Sequence, residues 1–421
     1  MPILRLPARS YAAVVVAVTF LALLVAAGLR SAPGVMMVPL ELHFGWDRAT
    51  ISASAAIGIF LYGLVGPFAA ALMLSFGIKR TMLAGLALMT ASTFASLWMT
   101  QPWHYVLTWG VLSGIGSGAV ASVLGAAVVN RWFATRQGLV MGMLTASAAT
   151  GALVFLPFLA WLSQSGAWKP VAVAVGLGCA VLLPLVWLLM PEHPGDVGTR
   201  RFGESDDMPP PPPLKQAATI GLAFTALFRA AKTPMFWLLF GTFYVCGLTT
   251  NGLVGTHMIA FCGDHGIAPV QAAGLLSMMG LFDLIGTTAS GWLTDRYDPR
   301  KLLFVYYGLR GLSLLALPFI DFGAASLVVF AMFYGLDWIA TVPPTVKLAN
   351  VAFGEREAPI VFGWIMAGHQ LGAGTAAFGA GAIRSLWGTY TPAFLIAGCF
   401  ALVASVVILG ARAQRPVAAL A

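Results

Sequence analysis

Four ionisable side chains fall in the middle of long apolar runs of this sequence, Asp283, Arg310, Asp337 and His369, and a fifth, Arg30, lies toward the outer end of the first run. A charge at the centre of a bilayer costs about 3 kcal/mol even on lenient scales, so an ionisable residue there is a functional candidate by default. The chemistry these residues offer is binding and proton transfer. A carboxylic acid gains or loses a proton, an imidazole does so near neutral pH, and the planar, permanently charged guanidinium holds a carboxylate through two parallel hydrogen bonds. Bond-making chemistry has no counterpart: neither the nucleophile elbow G-x-S-x-G nor the phosphate loop G-x-x-x-x-G-K-[ST] occurs, which argues against an enzyme and against a nucleotide-driven pump. No cofactor-binding motif is present.

The elements that must position these residues are transmembrane helices. Of 421 residues 59% are hydrophobic and 9% charged, against about 25% charged in an ordinary soluble domain. Crossing the hydrocarbon core as a helix takes about 20 apolar residues. Twelve stretches qualify, near 11–36, 48–74, 80–99, 103–127, 137–161, 168–190, 234–259, 269–292, 301–320, 323–347, 358–383 and 390–411. The expected fold is an all-α integral membrane protein with twelve transmembrane helices in two pseudo-symmetric six-helix bundles. The first bundle is read as 1–190, a cytoplasmic linker with the proline run 209–213 as 191–233, and the second bundle as 234–421. Past the prolines, residues 214–231 read as an interfacial helix, with Leu222, Phe224 and Phe228 beside Lys215 and Arg229. The first stretch is too long for a signal-peptide core and reads as a retained helix.

Charge sets the orientation. With the N-terminus inside, eighteen of the 23 Lys and Arg residues fall on inner segments and only Arg48, Lys169 and Arg384 on outer loops, so both termini are expected in the cytoplasm of a bacterial inner membrane. The same bias accounts for the net charge of +8 without a nucleic-acid partner. Cys179, Cys246, Cys262 and Cys399 form no CxxC pair, which suggests neither disulfides nor zinc. Among the seventeen methionines, Met36-Met37, Met278-Met279 and His257-Met258 near Cys262 are the only clusters. Adjacent helical residues point about 100° apart and do not face one ion, so packing is favoured over a metal site.

An internal repeat supports the division into halves. After the second stretch the chain reads Gly66-Pro67-Phe68 and then Phe76-Gly77-Ile78-Lys79-Arg80; after the eighth it reads Gly291-Trp292-Leu293-Thr294-Asp295-Arg296 and then Arg300-Lys301. Here the sequence resembles the major facilitator superfamily, whose signature is G-x-L-x-D-R-x-G-x-R-[RK]. The second copy carries Asp298 for the second glycine, and the first has Leu74 and Ser75 where Asp and Arg are expected. The resemblance implies a cytoplasmic gate at Gly291, Asp295, Arg296, Arg300 and Lys301, with the amino-terminal copy degraded.

Within that superfamily the chain is similar to the monocarboxylate transporter group and its bacterial relatives. The passages are Phe44-Gly45-Trp46-Asp47-Arg48-Ala49-Thr50-Ile51-Ser52, then Trp132-Phe133-Ala134-Thr135-Arg136 with Leu139 and Gly142, and Leu281-Phe282-Asp283. The arginine the group places four residues after this aspartate is Thr287. The resemblance implies a secondary transporter of a small organic anion, a monocarboxylate by proton symport with alternating access. Arg30, Asp283, Arg310 and His369 are the expected substrate-binding residues, and Asp283 and Asp337 the expected proton-coupling ones.

Each assignment has a plainer counterpart. Arg30 either clamps a carboxylate or snorkels to the interface. Asp283, buried without a full-strength partner, favours its protonated form and so suits proton uptake, or else it forms a structural salt bridge. Arg310, on a helix usually peripheral in this fold, is alternatively a partner for Asp283 or Asp337. Pro343-Pro344 after Asp337 must disturb the tenth helix, and His369 in its glycine-rich run either relays protons or packs. Two other functions compete: import of copper or another metal through the same fold, and a membrane sensor without turnover.

Overall fold

The computed structural model describes residues 8–135, 137–164, 166–204 and 219–410. The proline run 209–213 lies outside them. Twelve long helices follow one another: Ala8–Phe44, Arg48–Phe76, Ile78–Ala95, Pro102–Trp132, Gln137–Leu162, Lys169–Leu189, Pro234–Asp264, Pro269–Arg296, Pro299–Ala316, Ala324–Gly354, residues 355–387 and Thr391–Ile408. They are called spans 1 to 12 below. Among the described residues ten have the length and apolarity to cross a membrane; spans 5 and 11 complete the set. The all-helical architecture of two six-helix bundles is as the sequence reading expected.

Span boundaries follow from local chemistry. Asp47 caps span 2 by accepting from Thr50 N at 2.8 Å, and Asp298 caps span 9 by accepting from Arg300 N at 2.9 Å. Span 3 is capped from a distance. Glu192, just past span 6, accepts from the backbone N–H of Ile78 at 2.6 Å and of Lys79 at 2.9 Å, where a carboxylate meets the positive end of the helix dipole. Arg131 at the end of span 4 pairs with the same carboxylate. Spans 3, 4 and 6 are thereby tied at one end of the first bundle.

Two helices are wider than α-helical in mid-course. Val106–Leu112 in span 4 and Leu248–Val254 in span 7 form π-helical turns, which are rare and frequently found at functional sites. Span 10 is interrupted instead: helix stops at Asp337 and resumes at Val342. Pro343 and Pro344 fall in the first turn after the break, where a missing N–H costs nothing. The disturbance expected from these prolines therefore lies just before them.

The start of the linker is strapped to span 4. Phe202 N donates to Trp132 O at 2.8 Å and Ala134 N donates to Phe202 O at 2.9 Å. Of the expected interfacial helix, Thr219–Ala230 is described and is helical. Phe228 is exposed, Phe224 meets Trp364 of span 11 in a tilted ring contact with centroids 5.6 Å apart, and Arg229 pairs with Glu357.

The two bundles meet along spans 2 and 11, 5 and 8, and 1 and 7. Glycine permits the closest approaches. A Cβ on Gly381 of span 11 would lie 2.7 Å from the carbonyl oxygen of Arg48 in span 2, and one on Gly34 of span 1 would lie 3.1 Å from that of Thr256 in span 7.

Candidate functional site

Span 1 is longer than its apolar stretch suggested, because it continues through Pro33 and Pro39 to Phe44. Arg30 lies fourteen residues from Phe44 and twenty-two from Ala8, so it is about 21 Å from the later end of the helix at 1.5 Å per residue. It lines a small cavity between spans 1, 2, 4 and 7. Trp109, Ser113 and Ser117 of span 4, Ile59 of span 2 and Thr256 of span 7 line the same cavity. Among the described residues Arg30 is its one charged lining residue. The guanidinium sits 4.5 Å from the ring centroid of Tyr62, a cation–π contact, and among the described residues it makes no hydrogen bond or ion pair. All of its donors stay available to a ligand.

Arg310 is in the opposite condition. Nε donates to Asp337 Oδ2 at 2.6 Å, and Nη1 donates to Cys246 Sγ at 3.1 Å and Thr249 Oγ1 at 3.4 Å. Nη2 donates to the backbone carbonyls of Asp337 and, at 3.2 Å, Trp338. A guanidinium has five N–H donors, and these contacts occupy them all. Asp283 belongs to the same group: its Oδ1 accepts from Thr287 Oγ1 and from Ile339 N, both at 2.9 Å. The structure thus brings Asp283, Arg310 and Asp337 together around the interruption of span 10, on the other side of the bundle interface from Arg30. His369 is buried on span 11 beside the Phe243 ring, 5.2 Å between centroids, with Nδ1 lacking a hydrogen-bond partner.

The residues expected to form a cytoplasmic gate sit around the end of span 8. Asp295 is exposed and makes no hydrogen bond or ion pair among the described residues. Arg296 stacks on Trp292 at 4.1 Å and donates to its carbonyl at 3.1 Å. Arg300 folds back on Asp298, Nη2 to Oδ2 at 2.6 Å, which holds the Asp298 carboxyl below the usual carboxylate range. Lys301 is exposed, and nothing lies within 4 Å of where a Cβ on Gly291 would be.

A charged junction between the bundles lies at the opposite end. Arg48 at the start of span 2 forks onto Asp264 at the end of span 7, Nη1 to Oδ2 at 2.9 Å and Nη2 to Oδ1 at 2.8 Å. Arg48 Nε also donates to Glu41 at 2.9 Å, and Arg384 Nε donates to Asp264 Oδ2 at 2.7 Å. Tyr390 lies beneath, its ring centroid 5.5 Å from the Arg48 guanidinium, its hydroxyl 3.1 Å from His257 Nδ1 and 3.6 Å from Met37 Sδ of span 1. Sequence reasoning counted Arg48 and Arg384 only as topology charges and missed this cluster. The available signal was Asp264, an acid at the same end of the predicted helices as Arg48 and Arg384 although in a different connection from either. Tyr62 gave no signal of its own.

Comparison with known proteins places these features. A family model described as Major Facilitator Superfamily matches residues 19–348. The chain is 28% identical over 403 residues to monocarboxylate transporter 13 of Rattus norvegicus, covering 94% of this chain and 87% of that protein. It is 26% identical over 318 residues to the uncharacterized MFS-type transporter YcxA of Bacillus subtilis, covering 73% and 72%. Among solved structures, an inward-facing, occupied bacterial homolog of the human lysosomal transporter Spinster superposes with a TM-score of 0.75 at 14% identity, covering 97% of this chain and 98% of that one. The nucleoside transporter NupG gives 0.75 at 12%, covering 95% and 98%. At such identities the structural likeness speaks for the fold alone. The chain belongs to the major facilitator superfamily and is a multi-pass membrane transporter, not an enzyme.

Proposed function

We propose that the protein carries a small organic anion, a monocarboxylate, by proton symport with alternating access. The observation that supports this best is Arg30: one permanent cation, with no hydrogen bond or ion pair among the described residues, in a cavity otherwise lined by apolar, aromatic and hydroxyl side chains. A single-charge site suits a substrate with one carboxylate, and a second carboxylate there would be desolvated without a partner. Relatives named monocarboxylate transporters favour the same class. Arg310, with every donor occupied inside the protein, is read as a structural counter-ion and Arg30 as the substrate clamp. Asp283 is the proposed proton carrier; Asp337 is neutralised by Arg310.

For transport, the junction of Arg48, Asp264 and Arg384 must open. We read it as the outer gate, closed in this structure, with both termini and the linker 191–233 on the cytoplasmic side of a bacterial inner membrane. Residues 291–301 then form the opposite, cytoplasmic gate. Copper import is disfavoured, because both ring nitrogens of His257 are engaged, with Tyr390 at 3.1 Å and the carbonyl of Ala377 at 2.7 Å.

The test is uptake of labelled monocarboxylates and dicarboxylates into proteoliposomes with and without an inward proton gradient. Gradient-driven accumulation of a monocarboxylate is expected. Accumulation that ignores the gradient would overturn symport, and binding without any counterflow in sealed vesicles would favour a sensor.

A further inference from the structure

The interruption of span 10 lies at mid-membrane depth, where backbone groups without partners cost several kcal/mol each. Side chains from neighbouring spans satisfy them. Arg310 of span 9 donates to the carbonyls of Asp337 and Trp338, and Ser290 of span 8 donates to the carbonyl of Ala340 at 2.6 Å. Asp283 of span 8 accepts from Ile339 N, and Cys246 of span 7 lies 3.3 Å from Thr341 Oγ1. Three spans therefore hold one turn of four residues. Where a membrane helix is broken, the freed carbonyls and a nearby carboxylate commonly make a cage for a small cation. In this protein that place is filled: the guanidinium of Arg310 touches the two carbonyls, a carboxylate oxygen of Asp337 and the hydroxyl of Thr249.

We propose that Arg310 is a positioning residue acting as a resident cation, which completes the broken turn of span 10 so that the turn takes no metal ion, and that Asp283 is the clamp on that turn a proton releases. The second clause rests on the reading of Asp283 as proton carrier. Of the clamps, Ser290 and Arg310 keep their donors at all relevant pH. Asp283 differs: a carboxylate accepts a hydrogen bond about twice as strongly as a neutral acceptor, so taking up one proton weakens its hold on Ile339 N–H without breaking any covalent bond. The charged and titratable groups facing Asp283 are Arg310, Asp337 and Cys246, with Tyr306 near Ser290 and Lys347 bonded to the Thr294 carbonyl. Span 5, packed against span 8, carries no ionisable residue. Gly286 and Gly335 bring spans 8 and 10 together, a Cβ on Gly335 lying 2.6 Å from the carbonyl of Met279. Movement of the turn is thereby transmitted to the helix that bears the proton site.

Hydrogen–deuterium exchange of the peptide 334–345 in the full-length protein in nanodiscs tests this, after correction for intrinsic exchange rates. Protection of the turn should fall on acidification in the wild type, stay constant in Asp283→Asn, and be lower at every pH in Ser290→Ala with the pH difference kept. Replacing sodium by choline should change nothing. Arg310→Ala should lose protection and regain it with guanidinium but not methylammonium; if Arg310→Ala does not fold, Arg310→Lys, which keeps the charge and loses the fork, should show the same loss. Protection raised by sodium, or unchanged in Arg310→Lys, overturns the resident cation. Wild-type protection that ignores pH while uptake stays proton-driven overturns the coupling. Proton-driven uptake surviving in Asp283→Asn would instead sink the proton-carrier reading and leave the role of Arg310 standing on the sodium and guanidinium results.

Discussion

Asp264→Asn is the perturbation whose size the structure fixes best. Asp264 receives two arginines, one from each bundle, at 2.7 to 2.9 Å in its shorter contacts, and the Arg48 and Asp264 side chains are only 6% and 21% exposed. Hydrogen bonds to charged groups contribute about 1.5–3 kcal/mol each. The substitution removes the charge while keeping the shape, and leaves Arg48 and Arg384 facing each other. Taking the loss at about 2 kcal/mol, and about 1.4 kcal/mol per factor of ten, the balance between closed and open outer ends should shift about thirtyfold toward open. The reporter is Met37→Cys, a fully buried position beneath Tyr390 at the seam between the bundles. Its alkylation rate by a bulky maleimide in nanodiscs, read by mass spectrometry, should rise by about that factor when Asp264→Asn is added. An unchanged rate in a folded, monodisperse protein would refute the assignment of this cluster as a gate.

Three further outcomes are expected. Arg30→Gln should raise KM for the carboxylate by about 10- to 100-fold, the effect of losing a charge-assisted pair, with Arg30→Lys intermediate because it keeps charge without the fork; equal KM in all three proteins would remove Arg30 from the binding site. Asp283→Asn should abolish the pH dependence of uptake while the protein still reaches the membrane, and pH-driven accumulation that persists would exclude Asp283 as the proton carrier. Gly381→Leu should prop the outer end open, since even a Cβ there meets Ser52 Oγ and the Arg48 carbonyl. It should speed alkylation of Met37→Cys without touching any charge, and a rate equal to that of the parent would show that spans 2 and 11 do not close at this point.

The fold was legible because hydrocarbon imposes a length and a composition on whatever crosses it; twelve apolar stretches were read from the sequence, and ten of the described helices meet both demands outright. Boundaries were less so. Span 1 outran its apolar stretch by eight residues because Pro33 and Pro39 are tolerated inside a membrane helix, and that set Arg30 further from the helix end than the stretch alone suggested. The spacing of Asp283, Arg310 and Asp337 along the sequence gave their depth and left a pairing of Arg310 with either aspartate as one alternative; which aspartate it meets depends on how helices rotate against one another. Arg48 and Asp264 are 216 residues apart, and only the packing of spans 2, 7 and 11 brings them together. The difference between Arg30 and Arg310 is of the same kind. Both are buried-helix arginines in sequence, and only the count of occupied donors separates a clamp from a counter-ion.

The two π-helical turns bear on how the cavity acquired its lining. Trp109 lies in the first, with Ser113 and Ser117 just beyond it, and Thr256 follows directly on the second. A π-turn is an α-helix holding one surplus residue, which the wider turn absorbs so that side chains beyond it keep the face they would have had without it. Winding the same residues of Val106–Leu112 as ordinary α-helix would instead swing Ser113 and Ser117 away from the cavity by about 100°, with no side chain there exchanged. Part of which side chains the cavity presents is thus written in the winding of spans 4 and 7 and not in their residue types alone.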